Sequence, residues 1–219
     1  MSPMPAPSGL PEPAVEDTVA TATSPARKRP RPGERRVQIL QTLASMLEQP
    51  GAERVTTAAL AARLDVSEAA LYRHFASKAQ MFEGLIEFIE SSVFSLVNQI
   101  TEREASGSLQ AQRIVAMLLQ FGEKNPGMVR VMVGDALVFE NERLIARMNQ
   151  FFERVESQLR MSLRAAFDAS GSTTPTVQAQ ALASGLVAFI VGRLQRYARS
   201  GFKRSPTEQL ELVLPRLTT

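Results

Sequence analysis

Residues 67–78 read Ser-Glu-Ala-Ala-Leu-Tyr-Arg-His-Phe-Ala-Ser-Lys, placing small, hydroxylic, aromatic and basic side chains within one short span. These types suit contact with duplex DNA. Alanine can approach a thymine methyl, and serine can reach a base edge in the major groove. Tyrosine, histidine, arginine and lysine carry donors that meet phosphate oxygens. The preceding residues, 57–64, repeat Ala and Leu at helical spacing until Asp65-Val66-Ser67 interrupts them. Aspartate tolerates the left-handed conformation that a tight helix–helix turn requires. Ser67 is a good N-cap, its hydroxyl able to accept a backbone N–H of the following helix. Helix, short turn, helix is the arrangement whose second helix lies in the major groove.

Candidate roles follow from position. Ser67, Glu68, Ala69 and Ala70 stand near the end of the second helix that enters the groove and are the candidates for base contacts. Tyr72 and His74 are candidates for phosphate, and Arg73 for a positioning cation or a base edge. Thr56 and Thr57 begin the first helix of the pair, where hydroxyls, free N–H groups and the helix dipole suit a phosphate. Each has a plainer reading: capping for the threonines, internal packing for Ala70, and packing for Leu71. His74 is the only histidine, and there is no cysteine. No metal site, cofactor site or catalytic residue is therefore expected.

The whole chain of 219 residues carries a formal charge of only +3, which does not by itself announce nucleic acid. The distribution does. Arg27, Lys28, Arg29, Arg31, Arg35 and Arg36 face a single Glu34, a local patch that adds phosphate affinity regardless of sequence. A solubilising tail is the alternative. Residues 1–33 hold eight of the thirteen prolines, a composition unable to bury enough apolar surface to order itself, so a disordered arm is expected. Nothing resembles a secretory signal. The longest strongly apolar run, residues 181–192, is too short to span a bilayer, so a cytoplasmic protein without membrane contact is expected.

Beyond the arm the pattern is helical almost throughout, with no sustained alternation to suggest strands. A first helix over about 33–49 shows Val37, Ile39, Leu40, Leu43, Met46 and Leu47 at helical spacing, stopped by Pro50-Gly51. A long helix over about 78–104 presents Phe82, Leu85, Ile86, Ile89, Val93, Leu96 and Ile100 as its stripe. Phe88 and Phe94 fall off that stripe, as partner anchors or as packing against another element. Further helices are expected over about 109–123, 127–133, 140–169 and 176–200, with a last one after Pro206. The helix over 176–200 is apolar nearly all round, which predicts burial on every side. Ala181, Gly185, Ala188 and Gly192 leave one of its faces with little bulk, so a second backbone can approach closely. Intrachain packing would explain this, but a two-fold DNA reader needs a seam, and a homodimer interface is favoured.

A small N-terminal helix-turn-helix followed by about 130 helical residues resembles the TetR family of regulators. The 67–78 motif looks like that family's recognition helix and the start of its fourth helix. Asp65 stands where the family commonly has Gly. Within the family the chain is similar to the nucleoid occlusion factors, on the segments MFEGLIEFIE, FGEKNPG, GDALVFENERL, NQFFERVESQLR and FKRSPT. That similarity covers residues 34 to about 215 and leaves the Pro-rich arm outside.

The resemblance implies an all-α TetR-like fold: an arm over 1–33, a DNA-binding domain over 34–79, and a dimerisation and partner-binding domain over 80–219. It implies a phosphate contact at Lys78. It also implies a nucleoid-associated homodimer on palindromic duplex DNA that binds the C-terminal tail of the division GTPase FtsZ and antagonises its assembly over the chromosome. Phe88, Met117, Lys124 and Asn125 match the tail-binding positions; Lys124 stands where the related proteins have Arg, and Leu96 and Gln120 replace an arginine and a glycine.

Two other functions compete. A ligand-gated TetR-type repressor would need an apolar pocket whose occupation changes the spacing of the recognition helices. An enzyme is disfavoured, because the sequence has no Gly-rich phosphate loop and no His-centred triad.

Overall fold

A computed structural model describes residues 33–49 and 55–218; the Pro-rich arm before Gly33, with Arg27, Lys28, Arg29 and Arg31 of the basic patch, and Pro50-Gly51 lie outside them. The described residues are helical, with no strand among them. Nine α-helices follow in order: α1 (Glu34–Leu47), α2 (Thr57–Arg63), α3 (Glu68–Tyr72), α4 (Lys78–Arg103), α5 (Gly107–Lys124), α6 (Pro126–Met132), α7 (Glu142–Ala169), α8 (Pro175–Arg199) and α9 (Leu210–Leu217). A 3-10 turn, Asp135–Leu137, separates α6 from α7.

Local chemistry sets the starts and stops. Thr56, Ser67, Ser77 and Ser106 each accept a backbone N–H three residues on, the N-cap contact that satisfies one orphan donor. Pro126 and Pro175 open α6 and α8, where a missing N–H costs nothing. The α2–α3 turn is the expected one. Asp65 has φ +54°, its N–H reaches the Ala62 carbonyl, and the Val66 N–H reaches Ala61. That pair of bonds closes a Schellman motif on an aspartate instead of the usual glycine.

The helix-turn-helix is built on a continuous core. Ile39, Leu43 and Leu47 of α1, Leu60 of α2, and Leu71 and Phe75 of the α3 region are buried together with Phe82 and Leu85 of α4. Burying a ring such as Phe75 contributes about 2–3 kcal/mol. Behind this unit, α6 crosses α1 at backbone contact: a Cβ on Gly127 would lie 2.0 Å from the Ala44 carbonyl oxygen. The rest of the core lies between α4, α5, α7 and α8, where Ile89, Ile114, Leu118, Val155, Leu159 and Ile190 are fully buried.

Three expectations are corrected. Val37 is 53% exposed, because it lies about 200° around α1 from Ile39. Leu96 is 39% exposed, and Val97, one position on, continues the α4 stripe instead. The third concerns α8. Only its Ala179, Ala183, Leu186, Ile190 and Leu194 side is buried, against α7, while Ala181, Gly185, Ala188 and Gly192 are exposed within the chain. All-round apolarity therefore does not mean all-round burial here. The helix is also longer than the apolar run alone: it has 25 residues, and an 18-residue window within it has a mean hydropathy of 1.4, which by length and composition alone is enough to cross a membrane.

Two features of the FKRSPT segment fix the far end of α8. Phe202 packs its ring edge-on to Tyr197 at 5.2 Å. The Ser205 and Thr207 hydroxyls both donate to the Glu123 carboxylate of α5. Burial, and then the charge of Glu123, push the Tyr197 phenol above its ordinary range.

Candidate nucleic-acid interface

The candidate base and phosphate contacts of the helix-turn-helix lie between Thr56 and Lys78, and α3 divides them into an exposed and a buried side. Ser67, Glu68 and Ala69 are exposed, Ala70 is half-buried, and Leu71 is buried at 1% exposure. Tyr72, Arg73 and His74 are exposed in succession. Leu71 and Phe75 are thus the anchors, and the residues between them form the outward surface. The Ser67 hydroxyl accepts the Ala70 N–H at 3.3 Å, so it caps α3 while its own proton remains available to a base edge.

The two helix starts are tied together. The Thr57 hydroxyl donates to the Glu68 carboxylate at 2.6 Å, and Thr56 caps α2 through the Ala59 N–H at 3.1 Å. Thr57 and Glu68 therefore hold each other, fixing α2 against α3; of the two threonines, Thr56 is the exposed one.

The far end of α3 is pinned by a residue that the sequence presents only as part of a basic patch. The Arg36 guanidinium of α1 donates to the His74 carbonyl at 2.9 Å and lies 4.1 Å from the Phe75 ring centroid. The contact satisfies a carbonyl left over at a helix end and adds a cation–π interaction. Downstream, the Gln80 side chain accepts the Ala76 N–H at 2.8 Å, tightening the α3–α4 turn. No periodicity reveals either contact; only the Ser77-x-x-Gln80 spacing, a variant of the capping box, hints at the second.

Lys78, the first residue of α4, is not simply exposed. Its ammonium forms an ion pair with Glu140, in the connection leading to α7. Two more ion pairs link α4 to α7. Glu83 meets Arg143 at 2.8 Å, and Glu90 holds Arg147 bidentately at 3.1 and 2.7 Å. The direct bond to Glu90 is the main cause that raises the Arg147 pKa, outweighing the burial that opposes it.

The expected partner surface is less consolidated. Phe88 is 48% exposed on α4, as an anchor requires, whereas Phe94 packs edge-on to Phe151 at 5.6 Å beneath Arg154. Lys124 is exposed at the end of α5, and Met117 is half-buried. The Asn125 amide donates to the Phe121 carbonyl at 2.8 Å and so caps α5. Between α4 and α5 a cavity of about 250 Å³ is lined by Leu96, Gln99, Ile100, Arg103, Arg113 and Met117. Met117 enters this cavity; Phe88, Lys124 and Asn125 do not line it. The small-residue face of α8 is open: a Cβ built on Gly185 or Gly192 meets nothing within 4 Å.

Comparison with known proteins covers both halves of the chain. Residues 39–85 match the model of bacterial regulatory proteins of the tetR family, and residues 107–219 match the SlmA-like model of the tetracyclin repressor-like C-terminal domain. The nucleoid occlusion factor SlmA of Aliivibrio fischeri strain MJ11 is 52% identical over 180 residues, 82% of this chain and 91% of that protein. SlmA of Salmonella paratyphi B is 48% identical over 191 residues, 87% of this chain and 96% of that protein. Among solved structures, the regulator FadR of Bacillus subtilis, in complex with stearoyl-CoA, superposes with a TM-score of 0.66 at 13% identity, covering 84% of this chain and 97% of its own. The ketosteroid regulator KstR2 of Mycobacterium tuberculosis gives 0.63 at 19% identity, covering 84% and 93%. At such identities the likeness is one of fold.

Proposed function

Because this chain belongs to the TetR family, in its SlmA nucleoid occlusion branch, we propose that it binds palindromic duplex DNA as a homodimer and couples that binding to the control of cell division. The observation that carries this reading is identity of about 50% over more than four-fifths of the chain, with the helical half itself matching the SlmA-like model over residues 107–219. Helical halves of TetR-type regulators are tuned to what each protein recognises, so likeness there speaks to function as well as fold. The solved structures share only the fold and lend no weight to the ligand-gated alternative.

The domain over 34–79 reads the DNA. Ser67, Glu68, Ala69 and Ala70 face base edges. Thr56, Thr57, Tyr72, Arg73, His74 and Lys78 engage or orient the backbone. The domain over 80–219 dimerises through the Ala181, Gly185, Ala188 and Gly192 face and docks the FtsZ C-terminal tail along α4 and α5. In this arrangement the exposed Phe88 ring anchors the tail, Met117 offers an apolar floor, Lys124 supplies charge, and Asn125 shapes the end of the groove. The protein then acts at the nucleoid, in the cytoplasm, by antagonising FtsZ assembly over DNA.

The test uses labelled FtsZ tail peptide and, separately, labelled duplex DNA, read by fluorescence anisotropy. Losing a buried aromatic anchor costs about 2 kcal/mol or more, roughly thirtyfold in affinity. Phe88→Ala should lose the peptide to that extent while keeping DNA affinity within about twofold. Full peptide binding by the variant would overturn the Phe88 assignment. Absence of peptide binding by the DNA-bound parent would overturn the function.

A further inference from the structure

Lys78 occupies an unfavourable place for a cation. It is the first residue of α4, where the helix dipole presents its positive end, and the first turn of α4 contains no acidic side chain. The compensating charge comes from elsewhere: Glu140, 62 residues along the chain, forms the ion pair with the Lys78 ammonium. The Glu140 side chain is only 11% exposed and that of Lys78 25%, so solvent screens this pair less than it would a surface pair. A carboxylate and a phosphate offer the ammonium the same chemistry, an anionic oxygen accepting N–H bonds at a helix N-terminus.

We propose that Glu140 is an internal competitor for Lys78, a stand-in for the DNA phosphate that sets how strongly this chain grips the duplex backbone. The proposal rests on the reading of Lys78 as a backbone contact. With Glu140 in place, the Lys78–Glu140 pair is locally neutral. A phosphate arriving at Lys78 must displace or share with the carboxylate, so part of the electrostatic gain is lost. The exchange also couples the two halves of the protein. Glu140 directly precedes Asn141, the cap of α7, and α7 is held to α4 by the Glu83–Arg143 and Glu90–Arg147 pairs. Release of Lys78 thus frees one of three charged ties along α4, the helix that also carries Phe88.

The experiment compares Lys78→Ala, Glu140→Gln and the double variant with the parent, using a labelled mixed-sequence duplex titrated across a range of salt concentrations. Lys78→Ala should weaken binding. Glu140→Gln should tighten it roughly fivefold, the equivalent of one modest ion pair. Its salt dependence should steepen by up to one phosphate contact, about 0.9 in the log–log slope. The double variant should bind like Lys78→Ala alone, because the gain passes through that ammonium. Glu140→Asp, which keeps the charge but shortens its reach, should show a smaller gain. Unfolding would weaken binding, so it cannot mimic the expected gain.

Weaker or unchanged binding by both Glu140 variants, with Lys78→Ala impaired, would overturn the competitor while leaving Lys78 as a contact. Tightening that persists in the double variant would mean a general charge effect and would also overturn it. Unchanged binding by Lys78→Ala would overturn the contact itself, and the competitor with it.

Discussion

The Arg36 guanidinium donates to the His74 backbone carbonyl across 38 residues of sequence, at 2.9 Å, and the same group covers the Phe75 ring. Helix α1 thereby holds the trailing end of the recognition helix, while Ser67 caps its leading end. A five-residue helix has little stability of its own, since helix nucleation is costly and short helices depend on tertiary contacts. Its orientation rests on its two ends and on Leu71.

That relationship predicts that Arg36→Lys will not rescue Arg36→Ala. Lysine keeps the charge but loses the planar face that stacks on Phe75 and the fixed donor geometry. Each variant should lose about 1 kcal/mol of stability in urea unfolding, in keeping with one exposed charge-assisted hydrogen bond and a cation–π contact. Both should weaken duplex binding to similar extents. Equal DNA affinity of the lysine variant and the parent would make Arg36 a plain phosphate-seeking cation.

The second prediction concerns the seat of the DNA-reading unit. At Gly127, α6 runs so close to α1 that a methyl group would overlap the Ala44 carbonyl, 2.0 Å from its oxygen and 2.8 Å from its carbon. These atoms are backbone and cannot rotate away. Gly127→Ala should cost about 2–3 kcal/mol, the cost of overpacking a tight contact. A urea midpoint equal to the parent's would show that α6 can back away from α1 at no cost.

These contacts mark where sequence reasoning reached and where it stopped. Local punctuation was legible. Asp65 takes the left-handed conformation, Ser67 caps α3, and the expected helix boundaries lie within about two residues of the observed ones for α4, α5, α7 and α8. Stripes were legible too, except where the winding of the helix carried the buried face past Leu96 to Val97. Sequence alone presents Arg36 and Lys78 as cations suited to phosphate. Their partners, His74 and Glu140, are 38 and 62 residues away, beyond any periodicity. Helix α8 failed in another way. A face left open has the same composition as one buried in the chain, so hydrophobicity alone could not tell them apart.

The open face of α8 yields the last prediction. Gly185 has no neighbour within 4 Å of its Cβ, so a leucine there would meet nothing in its own chain. Only a second copy packed against Ala181, Gly185, Ala188 and Gly192 would meet the added bulk, at a seam where small residues allow close backbone approach. Gly185→Leu should therefore leave helical content by circular dichroism at the parental level. Sedimentation should shift from dimer to monomer or to irregular aggregate. Binding to a palindromic duplex should fall with dimerisation, because two half-sites on one DNA need two linked recognition helices. A single half-site should bind the variant and the parent protomer alike. A dimer of unaltered sedimentation would move the seam away from this face.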